Sequence, residues 1–457
     1  MIPVSTHKGG IVKEINFSYK EITRDILYLL EKPSKVYLAL VAFTMLGVAF
    51  GGYCWSVQLY RGMGMAGLNN PVGWGVYITD FVFWVGIGHA GTLISAILFL
   101  FRARWRNAIF RSAEAMTIFA VMTAGLFPII HVGRAWLAWW LIPYPNQREI
   151  WVNFRSPLLW DVFAVSTYFS VSCLFFSIGL VPDLAAIRDK ATGLRKKIYA
   201  FMSLGWTGSN RQWKNFMAGY GFLAAFATPL VLSVHSIVSW DFATSIVPGW
   251  HSTLFAPYFV AGAVFSGMAM VITILIPFRK IFNLEKYLTI WHFENMAKLI
   301  ILTGMIVTYS YSTEYFIAYY SDDPFEEFIF WERVFGKYSI PFLLMFFCNC
   351  IVPLPLWFKK VRTSLPMLFV ITVLINVGMW FERFNIIVSS LAQDYDPAIW
   401  GWYTPSFTEL GITLGSFCWF FMWFFLFIKF FPAMSIAEIK EIAEPPAKEA
   451  HHQAEVA

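Results

Sequence analysis

The sequence is poor in charged residues. Only 14% of its 457 residues are Asp, Glu, Lys or Arg, whereas a soluble domain carries roughly a quarter. Hydrophobic residues make up 58% and aromatic residues 19%, with 21 Trp and 47 Phe. A water-soluble fold could not bury so much apolar surface. The composition therefore predicts a protein of the lipid bilayer, and its net charge of +6 does not indicate a nucleic-acid partner.

Cysteine is also scarce, with five residues scattered along the chain. Only Cys348 and Cys350 lie close together, and a C-x-C pair without further ligands is a poor metal or cluster site. We predict buried, inert thiols and no iron–sulfur cluster in this chain.

The first 35 residues lack the early apolar core of a cleavable signal peptide. Ten later segments are long and apolar enough to cross a bilayer, which takes about 20 residues. They are residues 36–60, 71–101, 113–141, 157–181, 214–239, 253–277, 291–319, 338–358, 365–390 and 406–431. The fold class predicted is an all-α polytopic membrane protein.

The positive residues alternate in density between successive loops. Of the 34 Lys and Arg, 26 fall on the side of the two chain ends and only five in the odd-numbered loops. By the positive-inside rule, both ends should face the cytoplasm. Residues 1–35 are then a cytoplasmic segment, and the Ala-, Glu- and Lys-rich residues 432–457 a cytoplasmic tail that we expect to be disordered. With no large extramembrane segment, chemistry must take place among the helices or at their rims.

Ionisable residues inside membrane spans are functional candidates by default. One group falls in the outer third of the membrane on several predicted spans: His131, Arg134, Asp161, His235, Asp241 and Arg383. A pocket there could hold a small molecule with an apolar tail and a polar head, and a His and a carboxylate suit proton transfer with a hydroxyl.

Each of these residues also has a structural interpretation. Asp161 near a helix start could favour the helix dipole, and Asp241 could be a solvated loop residue. Arg383 could pair with Glu382, Arg134 could extend its charge to the interface, and the two histidines could be interhelical hydrogen-bonding groups.

A second group lies in the inner half and centre of the membrane. Asp80, His89 and Glu114 form a hypothetical proton path toward the middle, although His89 points to roughly the opposite helix face from Asp80. His292, Glu294 and Lys298 extend this path at the start of the seventh span, or are simply interfacial charge.

The run GHAGTLISAILFLFRARWRNAIFRSAEAMT, followed by FPIIHVGRAW and FRSPLLWDVFAVSTY, resembles the NrfD family of polysulfide reductase membrane subunits. Within that family it is most similar to membrane subunits of bacterial alternative complex III, a quinol-oxidising assembly. The resemblance implies two four-helix bundles, spans two to five and six to nine, flanked by spans one and ten. It also implies a bacterial inner-membrane location.

The resemblance further implies a quinol site near the periplasmic face of the first bundle. There His131 and Asp161 would accept the protons of menaquinol or ubiquinol, with Arg134, Asp241 and Arg383 as neighbours that bind or tune the quinol. The electrons would pass to a periplasmic iron–sulfur protein subunit. Cytochrome c subunits, a paralogous NrfD-like membrane subunit and a terminal oxidase are the further partners implied. The chain itself would hold no haem and would not be active alone.

Four other functions stay open. The chain could anchor a molybdopterin and iron–sulfur reductase that works in the opposite direction, or act as a proton-linked transporter. It could bind haem between His131 and His235, given two histidines at equal depth. It could also be a purely structural anchor that binds no quinol.

Overall fold

The computed structural model describes residues 18–30, 33–142 and 154–442. In that part of the chain the regular structure is entirely helical, and ten helices are long and apolar enough to cross a membrane. The predicted fold class and number of spans are confirmed. In chain order the principal helices are α1 (Tyr19–Tyr28), α2 (Lys35–Arg61), α3 (Val76–Leu100), α4 (Phe110–His131), α5 (Pro157–Arg188), α6 (Gly193–Met202), α7 (Asn210–Ala243), α8 (Phe255–Ile281), α9 (Ile290–Tyr320), α10 (Pro324–Phe335), α11 (Ser339–Trp357), α12 (Leu365–Ala392), α13 (Phe407–Phe430) and α14 (Ile436–Ile442).

Helices α1, α6, α10 and α14 are short, and the other ten are the spans. The spans form two four-helix bundles. In the first bundle α3 packs on α4, α4 on α5, α5 on α7, and α7 back on α3. In the second bundle α8, α9, α11 and α12 close a ring in the same way. The bundles meet through α8, which packs against both α3 and α7.

The flanking helices α2 and α13 pack directly on each other. Two glycines four residues apart on each helix, Gly47 and Gly51 on α2 and Gly411 and Gly415 on α13, let them approach closely. A Cβ atom built on Gly51 would lie 2.6 Å from the Cα of Gly415. Small residues at such spacing are the usual interface of tightly packed membrane helices.

The two ends of the described chain lie on one side of the molecule. Lys429 Nζ donates to the carbonyl oxygen of Leu29 at 3.0 Å, and the Tyr37 hydroxyl donates to that of Phe425 at 3.0 Å. We call this the terminal side and the other the opposite side.

Several span boundaries differ from the prediction. Helix α3 begins at Val76 instead of residue 71, because the loop before it is fixed by Asn69, whose side chain accepts from the Val72 amide at 2.8 Å. Helix α4 ends at His131 instead of 141, because Gly133 adopts a φ of +78° that ends the α-helix. Helix α5 continues beyond 181 to Arg188, with Pro182 inside it.

The prediction of a disordered tail from residue 432 is wrong for residues 433–442. Ala433, Met434, Ile436 and Ile439 are at most 2% exposed, and α14 begins at Ile436. These apolar residues bury against the bundle, which the average composition of the tail conceals. Residues 443–457 of the tail lie outside the described residues, as do 1–17 and 31–32 of the N-terminal segment.

Candidate functional site

His131 is the last residue of α4, on the opposite side. Its ring lies edge-on to that of Tyr77 on α3, with centroids 6.5 Å apart. Its Nδ1 is buried and has no hydrogen-bond partner among the described residues. Arg134, which the sequence grouped with His131, is exposed beyond the end of the helix.

The neighbourhood of His131 is held by Gln58 on α2. Gln58 is fully buried; its amide nitrogen donates to the carbonyl of Ile130 at 3.1 Å, and its amide oxygen accepts from the Tyr77 hydroxyl. The flanking span thus fixes both the backbone beside His131 and the ring that contacts it.

Asp161 and Asp241 face each other across the contact between α5 and α7. Pro157 starts α5 and places Asp161 in its second turn, while Asp241 lies in the last turn of α7. One carboxylate oxygen of each, Oδ1, is buried without a hydrogen-bond partner in the described part of the chain. Below them, a layer of apolar contacts joins α4, α5 and α7, made by Val121, Ala164, Tyr168, Val231 and Val234.

Asp80 is fully buried and its carboxylate is satisfied by two donors. Trp380 Nε1 donates to Oδ1 at 2.7 Å, and Thr413 Oγ1 donates to Oδ2 at 2.6 Å. The carboxylate therefore faces α12 and α13, and these contacts join the second bundle and the flanking span to α3.

His89 points away from Asp80, as the helical period predicted, and its side chain faces α7. Its ring packs against that of His235 with centroids 4.4 Å apart, and its Nδ1 is 2.8 Å from the carbonyl oxygen of Val85. Both nitrogens of His235 and Nε2 of His89 have no partner among the described residues. The haem alternative required His235 to face His131, whereas its ring partner is His89.

Arg383 forms an ion pair with Glu382 at 2.8 Å, between side chains 3% and 0% exposed. Its guanidinium also lies 4.3 Å from the ring centroid of Phe259 on α8. Glu382 accepts from the Tyr311 hydroxyl, which in turn accepts from Asn349 Nδ2 at 2.9 Å. Asn349 lies in a π-helical turn of α11 and Arg383 just before one in α12, a local geometry frequent at functional sites.

The remaining predicted proton-path residues lie at the terminal side. Glu114 is buried, and its carboxylate pairs with Arg111 at 3.0 Å and accepts from the Tyr220 hydroxyl on α7 at 3.0 Å. His292 takes part in the capping box of α9 with Thr289. Glu294 lies 3.5 Å from both Lys298 and Arg362. The contacts of His292 and Glu294 are typical of helix capping and interfacial ion pairs, and the path itself stays a prediction.

Three residues of these polar networks were not predicted from the sequence: Gln58, Tyr77 and Tyr311. Two further unpredicted carboxylates form buried ion pairs at the terminal side, Asp183 with Arg111 and Glu438 with Arg106. Asp183 could have been predicted, because it is a carboxylate at the end of an apolar stretch. The predicted span ended at residue 181, whereas α5 continues to Arg188 and includes Asp183. The others are polar residues whose importance arises from partners on another helix or far away in the chain.

These observations describe a polytopic α-helical membrane protein with buried, partly unsatisfied polar groups between its spans. The family model described as polysulphide reductase, NrfD, matches residues 64–393. The chain belongs to this family.

Three curated relatives are similar to about half of the chain. The chain is 28% identical over 223 residues to a putative dimethyl sulfoxide reductase membrane subunit of Halobacterium salinarum, covering 49% of this chain and 47% of the relative. It is 23% identical over 248 residues to a selenate reductase subunit of Mesobacillus selenatarsenatis, covering 52% and 55%. It is 25% identical over 244 residues to the Hdr-like menaquinol oxidoreductase integral membrane subunit of Archaeoglobus fulgidus, covering 53% and 51%. The chain thus matches about half the length of each relative.

Proposed function

We propose that this chain is the quinol-binding membrane subunit of a quinol-oxidising respiratory complex of the alternative complex III type. The observation that carries the proposal is a set of three buried polar atoms without partners among the described residues, Nδ1 of His131 and Oδ1 of Asp161 and of Asp241. They belong to the opposite-side ends of α4, α5 and α7. Unpaired polar atoms are costly away from water, so a ligand that supplies hydroxyl donors fits them.

The chemistry follows from the groups present. Oxidation of a quinol releases two protons and two electrons. The imidazole of His131 and the Asp161–Asp241 pair would accept the protons. The electrons would leave to a redox centre in a partner, for which we propose an iron–sulfur protein subunit on the periplasmic side. Cytochrome c subunits, a paralogous membrane subunit and a terminal oxidase are the other proposed members of the assembly.

The proposed location is the bacterial inner membrane, and the charge distribution supports an orientation with the terminal side in the cytoplasm. Of the two quinol types, menaquinol is favoured, because one relative is named as a menaquinol oxidoreductase subunit. Proton translocation through the membrane core by Asp80, His89, Glu114, His292, Glu294 and Lys298 is a further part of the proposal.

The second candidate function is the membrane anchor of a reductase that takes electrons from quinol for another substrate. The names of two relatives, a dimethyl sulfoxide reductase subunit and a selenate reductase subunit, favour it. Copurification of the tagged chain distinguishes the two, because a molybdopterin subunit in the complex would favour the reductase and cytochrome c subunits the quinol-oxidising assembly.

The site is tested by the variants Asp161→Asn and His131→Ala in the purified complex. We expect menaquinol oxidation to fall by about 10²-fold in each, the usual effect of losing a proton-transfer group. Asp189→Asn is the matched control, because Asp189 directly follows α5 and its side chain is 64% exposed. Turnover equal to that of the control in both variants would remove the site assignment.

A further inference from the structure

A second buried charge cluster lies at the terminal side, away from the proposed quinol site. Arg111 Nη1 is 3.0 Å from Glu114 Oε2, and Arg111 Nη2 is 3.2 Å from Asp183 Oδ2, with all three side chains at most 3% exposed. The Tyr220 hydroxyl donates to Glu114 Oε1 at 3.0 Å. The cluster therefore connects α4, α5 and α7 inside the first bundle.

Helix α14 covers this cluster. Both carboxylate oxygens of Glu438 accept from Arg106 Nη2, at 2.9 and 2.8 Å. The Ala437 amide donates to Asp183 Oδ1 at 3.1 Å, and the Ser112 hydroxyl donates to the carbonyl of Ala433 at 2.7 Å. The C-terminal segment thus forms the wall of the cluster on the terminal side.

The buried charges do not balance. Arg106 is matched by Glu438, but Arg111 faces both Glu114 and Asp183, which leaves one negative charge in excess. Of the other charged groups of α14, Lys440 is attracted to Asp183 but is only half-buried over the Tyr19 ring, where water screens its charge, and Glu441 is exposed. The fully buried side chains therefore keep their excess of one negative charge. An uncompensated charge in a buried site is strongly unfavourable, and binding a proton removes it.

The hydrogen bonds indicate which carboxyl takes the proton. Asp183 accepts from Arg111 and from the Ala437 amide, two donors that cannot act as acceptors. Glu114 has only one fixed cationic donor. Its second partner is the Tyr220 hydroxyl, which can rotate to accept a hydrogen bond from a protonated carboxyl.

We propose that Glu114, held between Arg111 and Tyr220 and enclosed by α14, binds one exchangeable proton. The proton bonds to Oε1 of Glu114, and the Tyr220 hydroxyl turns to accept from it. Arg111 Nε–H is buried without an acceptor in the described part of the chain, which marks a place for a water molecule that exchanges this proton with the terminal side. The proposal deepens the proposed proton translocation, in which Glu114 takes part, and it is tested separately from the quinol site, so that the failure of one does not decide the other.

The first test is infrared spectroscopy of the purified complex, in which a protonated carboxylic acid has its own C=O band. Compared with wild type, Glu114→Gln should lose one such band, and Tyr220→Phe should shift it because the acceptor is gone. Glu441→Gln, an exposed residue of α14, is the control and should keep the wild-type band. An unchanged spectrum in Glu114→Gln overturns the proposal; if that variant does not assemble, an unchanged band in Tyr220→Phe does so, since this variant keeps the ring that stacks on Phe175.

The second test concerns access to the cluster past the C-terminal segment. Ser112→Ala removes the hydrogen bond that the Ser112 hydroxyl donates to the carbonyl oxygen of Ala433, and it leaves the charges of the cluster unchanged. The band should therefore exchange in deuterated water about threefold faster or more. Glu441→Gln should exchange at the wild-type rate. An unaltered rate in Ser112→Ala would show that the C-terminal segment does not control access to the site.

Discussion

At the scale of single residues, the Arg383–Glu382 pair is the clearest case of two buried charges in which replacing one leaves the other without a counter-charge. Both side chains are almost fully buried, and their contacts described above are with helices of the second bundle. Replacing Arg383 by Gln leaves the Glu382 carboxylate without its counter-charge, and breaking such a buried pair usually costs about 3–5 kcal/mol.

We therefore expect Arg383→Gln to unfold at markedly lower temperature or denaturant concentration in detergent. The double variant Glu382→Gln/Arg383→Gln should lose less than the sum of the two single variants, because it removes both charges. Arg61→Gln, at the exposed end of α2, should behave like wild type. Additive losses would mean that the pair is not energetically coupled.

The sequence indicated the positions of polar residues along the helices better than it indicated their partners. His131, Asp161 and Asp241 were predicted to lie near one membrane face, and the helix ends that carry them lie together on the opposite side of the molecule. Partners depend on which helix faces which. The two donors to Asp80 are 300 and 333 residues away, and no local pattern in the sequence specifies them.

At the scale of helices, apolar length alone predicted all ten spans, because a bilayer requires long apolar helices whatever their packing. The span boundaries that differ from the prediction lie where a backbone or side-chain feature ends or extends the helix despite the hydropathy of the sequence. Gly133 stops α4 while the sequence remains rich in Trp, and apolar contacts order α14 within a tail of polar composition.

The glycine contact between α2 and α13 gives a prediction at this scale. Gly51→Ala places a methyl group 2.6 Å from the backbone of Gly415, so the helices must separate. Overpacking of this kind typically costs about 1–3 kcal/mol. The measurement is the unfolding midpoint of the purified protein.

Gly52→Ala is the matched control, because it lies next to Gly51 on the same helix and a Cβ there meets nothing within 4 Å. It should be at least as stable as wild type, since alanine also favours the helix. Equal stability of the two variants would mean that α2 and α13 do not depend on this close approach.

At the scale of the whole molecule, the orientation in the membrane follows from the loop charges. The excess of Lys and Arg on the terminal side predicts that this side faces the cytoplasm. Single cysteines introduced at Lys190, after α5, and at Ile246, after α7, test it from both sides, because both positions are exposed.

A thiol reagent that does not cross membranes should label Ile246→Cys in intact cells with a permeable outer envelope, and Lys190→Cys only in inverted vesicles. Four of the five natural cysteines are buried and Cys173 is only partly exposed, so the unsubstituted protein gives the background. The reverse labelling pattern would invert the orientation and place the proposed quinol site at the cytoplasmic face.

The pairing of the first and last spans also has a consequence for biogenesis. A ribosome delivers α2 to the membrane long before α13 is synthesised, yet the glycine-containing face of α2 packs on the glycine-containing face of α13. Until nearly the whole chain has been synthesised, this face of α2 must therefore contact lipid or another protein. A nascent chain arrested before residue 407 would be unable to complete this closure, however well its central bundles had formed.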